Sequence, residues 1–156
     1  LLLARDAVGD QPFLLSWGDI LVEFDAYRRL ADAFRARPGD ALLSLNAVDD
    51  PWRGAAVYVD SDGTVRRIVE KPPRGTSTTR WNNAGVFVLG PAVFDFAARL
   101  QPSERGEYEL PQALAAMVEA GRQVRALPLD GFWSDLGTPE DLAAAQTAWP
   151  RAPWED

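Results

Sequence analysis

Cysteine and histidine are both absent from the 156 residues of this chain. Without cysteine there is no disulfide framework and no thiol nucleophile, and without either residue there is no Cys/His zinc site. The lack of histidine also removes the side chain that most often serves as a general base near neutral pH. Chemistry in this protein therefore has to rely on carboxylates, hydroxyls, basic side chains and a hard cation held by oxygen ligands.

Lysine is almost absent as well, since Lys71 is the only lysine among the 16 basic residues. Arginine presents a planar fork of donors, whereas lysine is a compact ammonium that sits as a point charge against one phosphate oxygen. A site that needs this shape resists replacement by arginine, so Lys71 is a candidate binding residue. An ordinary surface lysine is the simpler explanation of the same observation.

The balance of charge is acidic, with 23 acidic against 16 basic residues and a net charge of −7. Nonspecific binding to nucleic acid takes an excess of lysine and arginine, so nucleic acid is not an expected partner. No apolar run has the length of a membrane span, and the first residues lack the plan of a signal peptide. We therefore expect a cytoplasmic protein without a membrane partner.

The length and an apolar content of 47% are those of one ordinary domain. We expect this domain over residues 1–148, followed by an irregular tail over residues 149–156 with two prolines and two tryptophans. The first eight residues have the pattern of the last turns of an amphipathic helix, with no N-cap before it. This pattern leads us to expect a chain that begins within a domain.

Segments with strand and helix patterns alternate along the chain. Valine-rich segments on both sides of Ser61-Asp62-Gly63 predict a β-hairpin, Asp25 and Thr138 stand where helix N-caps are expected, and Gly121 stands where a helix should end. Strands are predicted over residues 13–17, 41–45, 55–59, 65–69, 83–89, 124–128 and 132–136, and helices over 25–34, 91–100, 111–120 and 139–147. This order predicts an α/β domain with a mixed sheet flanked by helices and one inserted hairpin.

Two acidic residues stand at the ends of predicted strands. Asp19 follows the strand over residues 13–17, and Asp135 lies where the strand over residues 132–136 turns into a helix. Ligands of such sheets bind outside the carboxyl ends of the strands. A single carboxylate in such a position is often only a turn former or a cap. Brought together, Asp19 and Asp135 would make a Mg²⁺ site with two carboxylates, waters and substrate phosphates.

Six short motifs follow one another in a distinctive order. They are Gly18-Asp19-Ile20-Leu21 with Asp25, Gly54 before a strand and a hairpin, Glu70-Lys71-Pro72, Asn83-Ala84-Gly85, Gly106-Glu107-Tyr108-Glu109-Leu110, and Trp133-Ser134-Asp135-Leu136-Gly137-Thr138-Pro139-Glu140-Asp141-Leu142. Together they resemble the sugar-1-phosphate nucleotidylyltransferase family, the enzymes that make nucleotide sugars. The resemblance covers residues 14–145. It implies a Rossmann-like fold and two substrates, a nucleoside triphosphate and a sugar 1-phosphate, which give a nucleotide sugar and pyrophosphate.

The resemblance also implies roles for the charged residues of these motifs. Asp19 and Asp135 match the two family aspartates that hold Mg²⁺ against the nucleotide phosphates. Lys71 matches the lysine that binds the phosphate of the sugar phosphate, and Glu70 matches an acid that accepts hydrogen bonds from sugar hydroxyls. Because the attacking phosphate oxygen is already ionised at neutral pH, such a reaction needs no general base. This agrees with the absence of histidine and cysteine.

Three uncharged residues match the sugar pocket of the family. Asn83 and Gly85 match the segment that lines this pocket, and Gly54 matches a glycine whose backbone lies close to the sugar. A purely structural explanation is open for each of them. The two glycines could relieve crowding in strands, and Asn83 could satisfy a backbone group.

The sequence departs from the family in one large respect. The glycine-rich loop that wraps the triphosphate, and the base-recognition segment after it, have no counterpart in these 156 residues. We therefore expect an N-terminally truncated chain with incomplete transfer activity. A truncated sheet would expose a strand edge, so association of several copies is a further expectation. Trp17 and Pro111 replace commoner residues, which predicts a different pocket shape.

Two other functions fit parts of the sequence. The segment from Val57 to Val65 resembles the first motif of haloacid-dehalogenase phosphatases, but Lys71 follows too closely to be the lysine of that family. A hairpin turn explains the same letters. The second alternative is a noncatalytic relative that keeps the fold and binds sugar phosphate, because fold does not guarantee activity.

Overall fold

The computed structural model describes residues 1–149, so all of the predicted tail except its first residue lies outside the described part. The helices are α1 (Arg5–Val8), α2 (Ala26–Ala36), α3 (Val93–Ala97), α4 (Leu110–Glu119) and α5 (Pro139–Ala148), with short 3-10 turns at Leu2–Ala4 and Pro51–Arg53. The strands are β1 (Phe13–Ser16), β2 (Ile20–Val22), β3 (Ala41–Ala47), β4 (Ala55–Val59), β5 (Val65–Glu70), β6 (Trp81–Leu89), β7 (Val124–Pro128) and β8 (Trp133–Asp135). Within the described residues, no helix is long and apolar enough to cross a membrane.

Six of the strands form one mixed sheet. Its order is β5-β4-β6-β3-β7, and β1 pairs with β6 outside this path. Strands β3 and β7 are parallel, and the other pairs are antiparallel. Strands β2 and β8 form a separate antiparallel pair. The prediction of a mixed α/β sheet with an inserted hairpin is confirmed, and the hairpin is β4–β5.

The sheet is covered by helices on both faces because its central strands contain unbroken apolar runs, over residues 41–43 in β3 and 86–89 in β6. In β6, Phe87 and Leu89 belong to the core under α3 and α4, whereas Val86 and Val88 belong to the core under α2. Successive side chains of a strand point to opposite faces, so both faces of the sheet have to be buried where a strand has a continuous apolar run. The continuous pattern therefore fixes β6 in the middle of a three-layer structure.

Helix α2 covers its face of the sheet through one row of side chains. Ala26, Leu30 and Phe34 are spaced four residues apart, which places them on one side of the helix, and all three are buried. Burying a large apolar side chain contributes roughly 1.5–3 kcal/mol.

The N-cap position of α2 is held by Asp25, but its side chain makes no capping hydrogen bond. The predicted cap is wrong in this respect, and ion pairs with Arg28 and Arg29, both at 3.6 Å, engage the Asp25 carboxylate instead.

The hairpin between β4 and β5 follows from its turn residues. Asp62 accepts hydrogen bonds from Thr64 N and Thr64 Oγ1, both at 3.0 Å, and these bonds hold the pKa of the Asp62 carboxyl at about 2. Gly63 has φ +82, a conformation that a residue with a side chain rarely adopts. The predicted Asp-Gly turn is therefore confirmed by its local chemistry.

Three elements of the structure differ from the prediction. The segment over residues 91–100 contains only the short helix α3, flanked by turns with i to i+3 bonds, and Pro102 disfavours a longer helix. Strand β2 was not predicted, because three residues carry too little pattern. Strand β1 ends one residue before the predicted bound of 17, and it is only half-buried, with Leu14 42% exposed.

Helix α5 begins as predicted. Thr138 Oγ1 accepts a hydrogen bond from Asp141 N at 3.1 Å, which confirms Thr138 as the N-cap. At the other end of the helix, the Trp149 ring makes edge contacts with Phe24 and Phe132, with centroid distances of 5.3 and 5.2 Å. The first residue of the predicted tail is therefore packed against the domain.

Candidate active site

A cavity of about 920 Å³ opens beside the ends of β2, β5 and β8. Its walls come from the turn after β1, the segment before β4, the end of β5, the start of β6 and strand β8. Six of the seven residues predicted from the sequence lie on these walls: Asp19, Gly54, Glu70, Lys71, Asn83 and Asp135. Residues separated by more than 100 positions along the chain thus meet in one place.

The two aspartates are brought together by the pairing of β8 with β2, a strand that the sequence did not predict. Strands β2 and β8 set Ile20 opposite Asp135, and Leu136 N donates a hydrogen bond of 2.8 Å to Asp19 O. Burial raises the pKa of the Asp135 carboxyl, and the neighbouring charge of Asp19 raises it further. Two carboxylates whose charges interact repel one another, and a cation bound to both would offset this repulsion.

This donor set fits a hard divalent cation. Within residues 1–149, no group of three or more histidine, cysteine or carboxylate side chains forms a metal-ligating cluster. Mg²⁺ does not need such a cage, because it is commonly held by one or two carboxylates together with waters and substrate phosphates. Asp19 and Asp135 are the residues that would hold it in this cavity.

Lys71 has an unusual backbone. Its φ is +42, and within the described part of the chain it is the only residue other than glycine with a positive φ. Such a conformation costs roughly 1–3 kcal/mol and persists only where the surrounding structure enforces it. A hydrogen bond of 2.8 Å from Lys71 N to Gly54 O provides one constraint, and Pro72 follows directly. Strain of this kind is typical of functional sites.

Gly54 packs closely against a buried pair of asparagines, Asn82 and Asn46. Asn82 Nδ2 donates to Asn46 Oδ1 at 2.9 Å, and both side chains are buried. A Cβ atom on Gly54 would lie 2.2 Å from Asn82 Oδ1, which is far inside van der Waals contact. Gly54 is therefore needed for close approach, and its carbonyl in turn holds the backbone of Lys71. Gly54 therefore relieves crowding, as the structural explanation has it, and also lies in the wall of the cavity.

Gly54→Ala is expected to lower the free energy of unfolding by about 1–3 kcal/mol, because the added methyl overpacks a buried polar contact. Urea denaturation measures this cost. Gly18→Ala is the matched control, since a Cβ there would meet no atom of residues 1–149 within 4 Å. In the background of Asn82→Ala the cost of Gly54→Ala should shrink, and an undiminished cost would contradict the assigned contact.

Glu70 is the acid with the largest shift in the cavity. Burial raises the pKa of its carboxyl to about 7, the nearby charge of Glu109 raises it as well, and Lys71 and Arg105 act in the opposite direction. Arg105 also forms an ion pair with the buried carboxylate of Glu109. Near neutral pH, Glu70 therefore exists in both protonation states. Either state has an oxygen that accepts a hydrogen bond from a hydroxyl.

Glu70→Gln is expected to stabilise the protein above pH 7. In the unfolded chain Glu70 ionises near pH 4.5, but in the folded chain it ionises only near pH 7. The carboxyl therefore costs stability as pH rises from 4.5 to 7, and the cost persists above that range. After discounting for partial exposure, we expect a gain of about 1–2 kcal/mol at pH 8 that vanishes near pH 4.

Thermal unfolding at several pH values measures this difference between the variant and the natural sequence. The control is Glu119→Gln, which changes an exposed glutamate at the end of α4. A Glu70→Gln gain of equal size at pH 4 and pH 8 would show that packing rather than ionisation is responsible.

Gly85 does not line the cavity. Its φ is +82, and a Cβ there would lie 2.6 Å from the Trp17 ring and 2.8 Å from Ile20. It therefore makes room for Trp17, which is the structural explanation that the sequence left open. Asn83 Oδ1 accepts a hydrogen bond from Gly85 N at 3.2 Å, whereas buried Asn83 Nδ2 has no partner within residues 1–149. Asn83 thus satisfies a backbone group and keeps an unused donor beside the cavity.

Sequence reasoning missed several residues of the cavity wall. Trp133 lines it and donates a hydrogen bond of 2.9 Å from Nε1 to Ala84 O, and Arg53 and Asn82 line it as well. Trp133 stands in a motif that was recognised, so its position was available. Nothing in the spacing of Arg53 or Asn82 marks them, because they reach the cavity only through strand pairing and a short turn.

The haloacid-dehalogenase alternative does not fit this geometry. Its candidate nucleophile, Asp60, lies at the tip of the hairpin, where Arg66 Nε donates to its carboxylate at 2.6 Å. Strand β4 pairs in antiparallel fashion with both of its neighbours, and neither Asp60 nor Asp62 lines the cavity. The hairpin turn accounts for this motif.

The fold and the cavity define a class of α/β proteins that bring carboxylates and a lysine together outside the strand ends, as phosphate-transferring proteins do. The sequence profile of the nucleotidyl transferase family matches residues 1–151. The chain belongs to this family.

Individual relatives agree with this membership. The chain is 33% identical over 142 residues to the low-salt glycan biosynthesis nucleotidyltransferase Agl11 of Haloferax volcanii, covering 91% of the chain and 39% of the relative. It is 32% identical over 145 residues to a glucose-1-phosphate thymidylyltransferase of Streptomyces griseus, again covering 91% and 39%. The chain thus spans less than half the length of these curated relatives.

Solved structures have the same fold. A Bacillus anthracis protein assigned as a glucose-1-phosphate thymidylyltransferase, in complex with sucrose, matches 94% of the chain and 57% of its own length with a TM-score of 0.79 and 26% identity. A UDP-glucose pyrophosphorylase complexed with UDP-glucose matches 95% and 59% with a TM-score of 0.85 and 17% identity. The second likeness concerns the fold alone.

Proposed function

We propose that this chain is the sugar-phosphate-binding part of a sugar-1-phosphate nucleotidylyltransferase, which converts a nucleoside triphosphate and a sugar 1-phosphate into a nucleotide sugar and pyrophosphate. The observation that carries the proposal is the meeting of Asp19, Asp135 and Lys71 in one cavity. Membership of the nucleotidyl transferase family supports it, as do relatives whose names specify thymidylyl transfer to glucose 1-phosphate.

In this proposal, the phosphate of the sugar phosphate lies against Lys71. The two substrates are anions, so their approach is opposed by charge repulsion until cations offset it. The ammonium of Lys71 supplies one positive charge, and its fixed backbone reduces the freedom lost on binding. The attacking oxygen is ionised at neutral pH, so proton transfer is not needed.

Glu70 and Asn83 are proposed to bind the sugar, and the Gly54 backbone to lie close to it. Glu70 carries acceptor oxygens, and the unpaired Nδ2 of Asn83 is a donor beside the same cavity. Gly85 acts indirectly, because it allows Trp17 to form part of the wall. Hydroxyl groups have both donor and acceptor capacity and suit such a pair.

A magnesium ion is proposed to lie at Asp19 and Asp135. When bound, it would neutralise charge on the nucleotide phosphates and orient them. The all-oxygen donor set and the raised pKa of the Asp135 carboxyl beside Asp19 support this placement.

The test is pyrophosphate release with several nucleoside triphosphates and sugar 1-phosphates. It is run on this chain and on a fusion that places the glycine-rich segment of a relative before Leu1. Activity of the fusion alone supports a sugar-phosphate part of an enzyme. Sugar phosphate binding without activity in either protein supports a noncatalytic relative. Absence of both activity and binding overturns the proposal.

Three further expectations stay predictions. Within the described residues, β1 pairs only with β6, so its second edge is available for association of copies, which sedimentation would detect. A cytoplasmic location agrees with the use of nucleoside triphosphates. The domain over residues 1–148 is likewise a proposal, supported by the shared core of its strands and helices.

A further inference from the structure

The guanidinium groups of two arginines, Arg53 and Arg74, lie over the ring of Trp52. The Cζ atom of Arg53 lies 5.2 Å from the ring centroid, and the Cζ atom of Arg74 lies 5.5 Å from it. Trp52 and Arg53 belong to the 3-10 turn before Gly54, whereas Arg74 follows Lys71 in the next loop. The negative face of an aromatic ring attracts a cation placed over it. The ring therefore holds two charged side chains from different segments side by side.

Neither arginine has an acidic partner in the part of the chain that the structure describes. Among residues 1–149, the side chains of Arg53 and Arg74 make ring contacts but no ion pair and no hydrogen bond. Arg80, in the same region, donates to Asp49 Oδ1 at 2.9 Å, so the acids nearby are able to pair. Two like charges on one ring repel one another, and an anion beside them would offset that repulsion. Within residues 1–149 no carboxylate pairs with either arginine, because Asp50, which lines the same cavity, accepts a hydrogen bond of 2.7 Å from Gly75 N instead.

Arg53 faces the cavity that holds Lys71. It directly precedes Gly54, whose carbonyl accepts the 2.8 Å hydrogen bond from Lys71 N. Arg53 and Lys71 therefore line the cavity from two segments that are joined by a backbone hydrogen bond. The same cavity is bordered by the buried and unpaired Asn82 Oδ1 and Asn83 Nδ2, which independently indicate a polar ligand.

We propose that Arg53, oriented by Trp52 and assisted by the charge of Arg74, is a second anion-binding residue of this cavity and binds an oxyanion of the sugar phosphate. This inference rests on the proposed function. The planar fork of an arginine matches the two oxygens of a phosphate or a carboxylate, whereas Lys71 provides a point charge. The oxyanion comes either from the 1-phosphate itself or from the carboxylate of a uronic acid 1-phosphate.

Calorimetric titration of the chain with glucose 1-phosphate and with glucuronic acid 1-phosphate, in the presence of Mg²⁺, tests this inference. Arg53→Gln is expected to raise the Kd of at least one ligand about tenfold, which is the effect of losing one charge-assisted contact. Arg99→Gln is the matched control, because Arg99 also lies over a ring, that of Phe96 at 5.9 Å, but does not line the cavity. Thermal unfolding of each variant checks that the fold is retained.

The pattern of losses identifies the bound group. An equal loss for both ligands assigns Arg53 to the phosphate, and a loss confined to the uronic acid ligand assigns it to the carboxylate. If Arg53→Gln binds both ligands as tightly as the natural sequence does, the inference is overturned and the proposed function stands. If the natural sequence binds neither ligand, both are overturned.

Discussion

Asp135→Asn is expected to lower the rate of pyrophosphate release about 100- to 1,000-fold in whichever form of the protein is active. The substitution keeps the size of the side chain but removes one of two carboxylates that line the same cavity, where the charge of Asp19 raises the pKa of Asp135. Losing one preorganised electrostatic group at a phosphate-transfer centre has effects of this order. The initial rate at saturating substrate is the measurement.

A direct readout accompanies this rate. Binding of Mn²⁺ to the chain, followed by electron paramagnetic resonance, should weaken in Asp135→Asn and in Asp19→Asn alike. Asp32→Asn is the control, because it removes a carboxylate that pairs with Arg35 at 2.8 Å on the surface of α2. If both cavity variants bind Mn²⁺ and turn over normally, these two residues do not form the metal site.

Lys71→Met is expected to weaken binding of the sugar 1-phosphate about 100-fold, and Lys71→Arg about tenfold. The first substitution removes the charge, and the second replaces a point charge by a fork that is too wide for the same place. Both new residues carry a Cβ, so the positive φ at this position costs a similar amount in each. The difference between them thus reports on the head group. Titration calorimetry gives the two dissociation constants.

Arg67→Lys serves as the converse control for this pair. Arg67 lies on β5 over the ring of Tyr58, 5.5 Å from its centroid, and does not line the cavity. Its substitution should leave sugar phosphate binding unchanged. If Lys71→Arg binds the sugar 1-phosphate as tightly as the natural sequence does, the site does not require the ammonium of Lys71.

The sequence-based predictions are most accurate for elements whose interactions join residues close together in the sequence. Strand β7 has the predicted bounds of residues 124–128, and the hairpin and the cap of α5 form as expected. The determinants of the hairpin turn and of the cap lie within a few residues of each other, such as Asp62 with Thr64 or Thr138 with Asp141. Local hydrogen bonds of this kind can be read from adjacent letters.

The parts that could not be predicted depend on distant partners. Strand β2 exists because β8 pairs with it, although more than 100 residues separate the two. The left-handed backbone of Lys71 depends on Gly54, and Gly54 depends on Asn82. Neither dependence has a signature in the spacing of these residues. The same applies to Arg53, whose position at the cavity follows from a short turn.

The sequence by itself determined the class of fold, the absence of thiol and imidazole chemistry, and the family motifs that carry Asp19, Lys71 and Asp135. These follow from composition, from apolar periodicity and from short segments. Only the tertiary structure decided that the charges meet in one cavity, that Gly85 lies behind Trp17, and that Glu70 is buried enough to ionise near pH 7. The physical reason is that distance, burial and electrostatic coupling depend on which strands pair, and no local pattern specifies this pairing.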